Sequence, residues 1–270
     1  MRPRKIDRVA YYARGVAADI APAALAGRQK DAIFRNLARA PLPRSIVDRV
    51  NYYNKLEPDR LLETPTRVRS IPREQSYYFY DLMPLAKAFG LDLHLSCLFG
   101  DITRIADQPS IVKSRPVAGD NANSVVMKLD SLRHFTIARD PIAFGQKLPS
   151  AVWRGGVGRL PHRMALVDRW GRDPRHDVGQ VGGKIGSTAR KPFLSPLEQM
   201  RHRYIISVEG ADVATNLKWV LASNSLCLMP RPRYETWFME GRLAPGVHYA
   251  ELRADFEDLD ETVDYYEKNP

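Results

Sequence analysis

From about residue 147 onward, strand-like apolar runs alternate with helix-like segments, and this rhythm allows only a few folds. LPSAVWRGG is followed by the helical pattern LPHRMALVDRWG, and RYIISVEG is followed by ADVATNLKWVLAS. Each run ends in a glycine-containing turn before its helix begins. Such alternation is typical of a parallel sheet covered by helices on both faces. We therefore predict an α/β fold for this part of the chain.

The first half of the chain has a different rhythm. Residues 5–56 show helical spacing of apolar residues between prolines. SYYFYDLMPLAKAFG is helical in its second half and ends at Gly90, and LDLHLSCLFGD alternates as a strand. We predict an N-terminal domain of residues 1–145 with a basic helical extension, and a C-terminal domain of residues 146–270.

The net charge of +10 is spread unevenly. Residues 1–73 carry sixteen Arg and Lys against seven Asp and Glu, whereas residues 251–267 carry eight acids and one base. A basic N-terminal half favours an anionic partner, which could be nucleic acid, a membrane face or a phosphorylated substrate. Composition does not choose among these partners.

Targeting and redox signals both favour the cytoplasm. No apolar stretch has the length of a signal peptide core or of a transmembrane helix, so we expect neither. Cys97 and Cys227 both lie in apolar runs, which is typical of buried free thiols in a reducing compartment.

Three polar turns follow predicted strands, at Gly155–Gly158, Gly210–Asn216 and Pro230–Glu235. In an open α/β sheet, ligands bind at the carboxyl ends of the strands. The glycine-rich stretch WRGGVGRLPHR contains Arg154 and Arg163, and glycines let the backbone approach a phosphate. The alternative is an ordinary flexible basic turn.

The stretch EGADVATNLKWV predicts a helix start whose free N–H groups could bind an anion. Asp212 is a good N-cap for this helix. Asn216 and Lys218 are two residues apart, which is about 200° around a helix, so they do not both point at one ligand. Lys218 either reaches around on its long stem or is a surface charge. Glu235 either accepts a hydrogen bond from a ribose hydroxyl or is simply exposed.

Asp101 follows an apolar strand and a glycine in LFGDITRI. A carboxylate at a strand end can act as a general base, although a turn residue or helix cap is the more common reading. The polar loop KSRPVAGDNANS offers Lys113 and Arg115, which we assign to acceptor binding. The histidines and cysteines have no metal-ligand spacing, so we predict no metal site.

Several motifs occur together in a fixed order: Trp153-Arg154-Gly155, then Arg163, then the stretch from Gly210 to Lys218, followed by LASNS, YETWF, VHY and DFEDL. In this order they resemble the family 90 glycosyltransferases, which include capsule-associated transferases, protein O-glucosyltransferases and bacterial lipopolysaccharide-modifying enzymes. A thinner N-terminal match, through YYFYDLMPLAK, FGDIT, VKSRP and RHF, resembles the bacterial branch.

This resemblance implies a GT-B architecture, with two Rossmann-like lobes around a cleft. It implies an inverting transfer from a UDP-sugar without a cofactor or an essential metal, and Asp101 matches the position of the catalytic base. The resemblance and the turns together assign the nucleotide-sugar site to the following residues: Arg154, Gly155, Gly156, Arg163, Gly210, Ala211, Asp212, Val213, Ala214, Thr215, Asn216, Lys218 and Glu235.

The implied acceptor is a hydroxyl group of a glycan, a lipopolysaccharide or a lipid-linked sugar, and the implied location is the cytoplasmic face of the membrane. The sequence departs from the family where Asn216 replaces an arginine and Gly156 replaces a serine or alanine, and Arg159 is a substitute for the missing charge. The chain also stops just after its last predicted helix. Two alternatives stay open: a basic nucleic-acid-binding protein, and a transferase-like protein that binds UDP without turnover.

Overall fold

The computed structural model describes residues 5–39, 41–57, 60–183 and 189–269. The chain forms two compact units, and neither is a single stretch of sequence. The N-terminal unit contains the chain up to Arg133 together with residues 233–239. The C-terminal unit contains residues 134–232 and the chain from Glu240 onward. The structural break at Arg133 lies before the predicted boundary at residue 145, and the segment 233–239 belongs with the first half of the chain.

The helices of the described residues are α1 Lys5–Ile20, α2 Ala23–Leu37, α3 Arg44–Tyr53, α4 Ser76–Phe89, α5 Ser131–His134, α6 Pro161–Trp170, α7 Pro196–Gln199, α8 Leu217–Leu221 and α9 Leu259–Lys268. The strands are β1 Thr66–Arg67, β2 His94–Leu95, β3 Cys97–Leu98, β4 Ser110–Val112, β5 Ser114–Pro116, β6 Ser124–Val126, β7 Leu148–Gly155, β8 Asp177–Gln180, β9 His202–Ile206, β10 Leu226–Met229, β11 Tyr234–Thr236 and β12 Ala250–Glu251. Single 3-10 turns occur at Val68–Ser70, Phe144–Gln146 and Glu240–Arg242.

The C-terminal unit is built on a five-stranded sheet in the order β12-β10-β9-β7-β8, and every pairing in it is parallel. Side chains alternate between its faces, because successive residues of a strand point to opposite sides. Trp153 packs with Leu166 of α6 on one face. Val152 packs with Trp219 of α8 on the other face. The predicted parallel sheet with helices on both faces is confirmed.

Local capping signals place two helices of this unit. Pro161 occupies the first turn of α6, where its missing N–H costs nothing, and the helix ends at Trp170 before Gly171. Ser195 caps α7 and forms a capping box with Glu198. The helix predicted in ADVATNLKWVLAS begins later than expected. Helix α8 starts at Leu217, and residues 211–216 form a turn instead of the first turns of the helix.

The N-terminal unit contains a three-stranded parallel sheet, β3-β4-β6, with α4 packed in the core beside it. Both α1 and α2 pack against α4. Helix α4 spans all of Ser76–Phe89, longer than the predicted second half. The predicted strand in LDLHLSCLFGD is two short strands in different sheets, because β2 pairs with β1 and β3 pairs with β4.

The parallel sheets of the two units are consistent with Rossmann-like folds. No described helix is both long and apolar enough to cross a bilayer.

Candidate functional site

The carboxyl ends of the parallel strands in the C-terminal unit lie at one edge of the sheet. Strand β7 ends at Gly155, and β9 ends at Ile206. The glycine turn after β7 and the turn after β9 therefore lie side by side, as the sequence predicts. This edge is the place where α/β sheets bind their ligands.

The glycine turn combines a tight inner side with an open outer side. A Cβ atom at Gly155 would lie 2.6 Å from the Trp153 ring, so only glycine packs there. Gly158 has a φ of +58°, in the left-handed region that favours glycine. A Cβ at Gly156 would meet nothing within 4 Å. The backbone at Gly156 is therefore open to a ligand, and α6 begins a few residues later.

Arg163, on the first turn of α6, ties the two turns together. Its guanidinium donates hydrogen bonds to the carbonyl oxygens of Gly156 at 2.8 Å, Val208 at 2.9 Å and Glu209 at 2.8 Å. It also lies over the Trp153 ring. Burial lowers the pKa of Arg163 to about 10, so the group is still a cation at neutral pH. Three of its five N–H donors are used inside the protein.

Arg154 is held at the neighbouring strand. Its Nη2 atom donates to both carboxylate oxygens of Asp177 at 2.7 Å, and its Nε–H donates to the Pro192 carbonyl. Lys191 contacts the same carboxylate at 3.0 Å. Burial raises the pKa of Asp177, but the two cations outweigh burial and hold that pKa below its usual value. Arg154 is therefore already neutralised by the protein itself.

Much of the turn after β9 is buried in the C-terminal unit. Asp212, Val213 and Ala214 are all buried. The Asn216 side chain donates to the Ile206 carbonyl at 3.1 Å and accepts from the Ser207 hydroxyl. These bonds hold Asn216 against the end of β9, which is why α8 starts only after it. Gly210, Ala211 and Thr215 complete the predicted segment and lie on the same turn.

Lys218 forms a buried ion pair inside the C-terminal unit. Its ammonium group pairs with Glu240 at 2.5 Å, and both side chains are 1% exposed. Since the pair is buried, Lys218 is not a solvated surface charge. Its ammonium group is balanced by Glu240, and its assignment to the nucleotide-sugar site stays a prediction.

Glu235 and Arg115, which the sequence assigns to donor and acceptor binding, contact each other. Strand β11 pairs with β5 in the N-terminal unit and places Glu235 opposite Arg115. The guanidinium donates to Glu235 at 2.8 Å, and both residues are almost fully buried. Arg115 also donates to the Tyr52 and Ser124 carbonyls. A buried arginine is tolerated only where a carboxylate and several further acceptors surround it. Glu235 and the two carbonyl oxygens provide this environment inside the N-terminal unit.

Asp101 follows β3 and lies in a cluster of charges in the N-terminal unit. Its carboxylate is 2.5 Å from the Lys113 ammonium and 3.5 Å from Arg133. Lys113 is 1% exposed, whereas the Asp101 side chain is 36% exposed. Burial raises the pKa of Asp101, but Lys113 and Arg133 outweigh it and hold that pKa below its usual value. Asp101 is thus an ionised, partly accessible carboxylate at neutral pH.

The structure adds partners that sequence reasoning missed. Asp130 is buried beside Arg133 at 3.0 Å, and burial raises the pKa of Asp130 to about 6. Asp177 and Glu240 are two further carboxylates that the sequence did not indicate. Asp177 pairs with Arg154 and Glu240 with Lys218, each more than twenty positions away, so local periodicity carries no signal for these two pairs. Among the described residues, no group of three or more His, Cys, Asp and Glu could hold a metal ion.

Comparisons with known proteins decide the family. The sequence pattern described as Glycosyl transferase family 90 matches residues 125–270, more than half of the chain. A curated relative, the O-glucosyltransferase LpsA of Dichelobacter nodosus, is 44% identical over 275 residues, which covers 99% of this chain and 85% of the relative. The chain belongs to glycosyl transferase family 90.

Membership of family 90 confirms the predicted class of enzyme, a glycosyltransferase. The family match contains the glycine turn, the turn after β9 and Glu235. Asp101 and Lys113 precede the matched range, but they fall within the nearly full-length similarity to the relative. A family 90 enzyme needs partners of two kinds, a sugar donor and a glycan acceptor.

Proposed function

We propose that this chain transfers a sugar, with inversion at the anomeric carbon, from a UDP-sugar to a hydroxyl group of a lipopolysaccharide-type glycan. The observation that carries this proposal is the 44% identity with an O-glucosyltransferase across nearly the whole chain. The name of that relative makes UDP-glucose the first donor to test. We further propose that the two units are the lobes of a GT-B enzyme and that no metal or other cofactor is essential.

The C-terminal unit is the proposed donor lobe. Main-chain N–H groups of the glycine turn and the start of α6 would carry the diphosphate, since both are suited to anions. Arg154 and Lys218 are bound to internal carboxylates, so they add little charge there. Arg159 is exposed on the same turn, and the structure gives its side chain no ion pair among the described residues. We assign the cationic contact with the diphosphate to Arg159, with Arg163 holding the turn in place.

Asp101 is the proposed general base. In an inverting transfer, its carboxylate takes the proton of the acceptor hydroxyl as the oxygen attacks the anomeric carbon and UDP leaves. The bond between the anomeric carbon and the UDP oxygen breaks, and its electron pair stays on that oxygen. Main-chain N–H donors and Arg159 stabilise the charge that develops on the diphosphate. Support comes from the ionised state and partial exposure of Asp101.

An anionic membrane surface at the cytoplasmic face is the proposed location of the acceptor. Twelve of the twenty-two exposed large apolar side chains among the described residues lie between Ile6 and Val50. On α1, four of them share one face: Ile6, Val9, Val16 and Ile20. Apolar stripes flanked by arginine and lysine are typical of helices that lie on anionic lipid.

Two measurements on one preparation test the function. UDP should raise the melting temperature of the protein, and UDP release should be detected with UDP-glucose or another UDP-sugar in the presence of a lipopolysaccharide acceptor. No thermal shift at millimolar UDP would contradict the donor assignment. A shift without release from any donor would favour the alternative of a UDP-binding protein without turnover. Salt-sensitive binding to generic DNA with no UDP effect would favour the nucleic-acid alternative.

A further inference from the structure

The N-terminal unit contains an open cavity of about 360 Å³, and its lining includes residues on either side of Asp101 in the chain. Leu98, Phe99 and Ile102 belong to this lining, and Asp101 stands between Phe99 and Ile102 in the sequence. The cavity is therefore at the carboxyl end of β3, the favoured position for ligands of a parallel sheet. Its volume lies within the range of small-molecule sites, about 300–1,000 Å³.

Several of the lining residues are apolar, and some are fixed in place by packing. Ile71 belongs to the hydrophobic core, and Pro72 follows it. Phe99 stacks on Tyr78 with ring centroids 5.3 Å apart, so the aromatic ring has a fixed orientation. A flat apolar surface of this kind packs well against the C–H face of a sugar ring, because burial of apolar surface is favourable.

The lining also supplies polar groups. Glu74 and Gln75 line the cavity just before α4 begins at Ser76. Neither side chain has a hydrogen bond or ion pair within the part of the chain that the structure describes. A carboxylate and an amide in this position can accept from, and donate to, several hydroxyl groups at once.

The charge of the lining restricts the ligand further. Among the residues that the structure describes, no arginine or lysine lines the cavity, whereas Glu74 brings a carboxylate. The Glu74 carboxylate repels a phosphate or another anion that enters among these residues. A neutral polyhydroxylated ring fits both the apolar and the polar part of the lining.

We infer that this cavity binds the neutral pyranose ring of the acceptor and presents its hydroxyl group to Asp101. The role in transfer rests on the proposed function, but binding of the sugar does not. The lining residues Glu74 and Gln75 would thus select the acceptor.

Saturation-transfer NMR on the full chain without nucleotide tests the inference directly. The probes are methyl glucopyranosides and methyl galactopyranosides at millimolar concentration. Glu74→Ala and Gln75→Ala should each weaken binding about fivefold, as expected for the loss of one good hydrogen bond. Thr66→Trp, which fills the cavity from β1, should abolish sugar binding. Glu63→Ala removes a nearby exposed glutamate outside the cavity and should change nothing.

Folding is controlled by the melting temperature of each variant. Gln75 precedes α4 but makes no side-chain cap bond, so the helix loses nothing when Gln75 is truncated. No saturation transfer to any methyl glycoside, or transfer that all three cavity variants leave unchanged, would overturn the inference. Stronger binding of glucose 6-phosphate than of methyl glucoside would overturn it as well.

UDP titration of the same variants separates this inference from the proposed function. If UDP binds and is released while sugar binding ignores the cavity variants, only the cavity assignment fails. If sugar binding follows the variants while UDP does not bind, the proposed function fails and the cavity assignment stands.

Discussion

Arg163 has a structural role that its position in the sequence does not indicate. The sequence places it on an early turn of α6, where an exposed arginine would contact a phosphate. The structure instead uses it to bind the carbonyl oxygens of Gly156, Val208 and Glu209. The geometry of the two turns therefore depends on Arg163, and the exposed charge belongs to Arg159.

We predict opposite behaviour for two arginine variants. Arg163→Ala leaves three carbonyl oxygens without their donor and should lower the free energy of unfolding by about 2 kcal/mol, and UDP affinity should fall with it. Arg159→Ala should leave the melting temperature unchanged and weaken UDP binding selectively. Thermal unfolding and UDP titration measure both. If Arg163→Ala proves as stable as the parent protein, the hydrogen bonds of Arg163 do not hold the two turns together.

Asp101 carries the prediction about catalysis. Asp101→Asn keeps the size of the side chain and removes its basicity, so transfer should fall about a hundred- to ten-thousandfold. UDP affinity should stay close to that of the parent protein, since the nucleotide is assigned to the other unit. Turnover and UDP titration on one preparation measure the two effects. Asp107→Asn, whose carboxylate pairs with Arg104 at the surface, is the matched control.

The pH dependence of Asp101 has a definite sign. Lys113 and Arg133 hold its pKa below the usual value, so the base is already deprotonated through the neutral range. Activity lost by protonation of Asp101 should therefore appear only in acid, below the ordinary range of a carboxyl group. The same ion pair stabilises the fold above that range and is lost as pH falls. Normal turnover by well-folded Asp101→Asn would move the base to another residue.

At the scale of elements, α1 presents two different apolar faces. Tyr11, Tyr12 and Gly15 face α4: the Tyr12 hydroxyl bonds Ser76, and Gly15 lies where any Cβ would strike the Tyr80 ring. The second face is exposed and carries the four apolar side chains described above, within an arc of about 80° on a helical wheel. A surface helix needs only one apolar face for its own packing.

We predict that this second face binds anionic membranes. The double change Val9→Glu and Val16→Glu should reduce sedimentation with phosphatidylglycerol-containing vesicles at least about tenfold, because burial of each valine contributes about 1.5 kcal/mol. Val247→Glu places the same charge at an exposed valine of the C-terminal unit and serves as control. UDP affinity should not change. Equal vesicle binding by the double variant and the control would remove the membrane from the proposal.

At the scale of the whole molecule, the chain returns to its first unit late in the sequence. Residues 233–239 leave the C-terminal unit and add β11 to β5. Trp237 stacks on Tyr53 with ring centroids 3.9 Å apart, and Glu235 pairs with Arg115. A motif that reads as a nucleotide contact is thus part of the core of the N-terminal unit.

The prediction at this scale separates a structural from a ligand-binding role of Glu235. Glu235→Gln removes the charge that balances buried Arg115, so it should lower the free energy of unfolding by roughly 3 kcal/mol. Hydrogen exchange should accelerate in β4 and β5, and UDP affinity measured below the transition should not change. Trp237→Phe is a useful companion, since it weakens the stacking but leaves the ion pair. If Glu235→Gln is stable but loses UDP affinity selectively, Glu235 contacts the ribose, as one of the two sequence-based interpretations suggests.

Several features followed from the sequence alone, for reasons that are local. Short continuous apolar runs distinguish β7 and β9 from the helically spaced apolar residues of α6 and α9, and proline and glycine place the start and end of α6. The order of short motifs identified the family, because a long ordered series of motifs rarely arises by chance. The glycine turn after β7 was also readable, since the required backbone freedom is encoded in Gly158 itself.

The partners of the charged residues were decided by the tertiary structure. Asn216 bonds back to the end of β9 and delays α8, Lys218 meets Glu240, and Arg115 meets Glu235. The two ion pairs join segments that are distant in sequence, and the energy of a buried ion pair depends on where both partners lie and how much water they lose. A charge pattern along one chain contains neither quantity, so the sequence could name the ionisable residues but could not tell a ligand contact from an internal one.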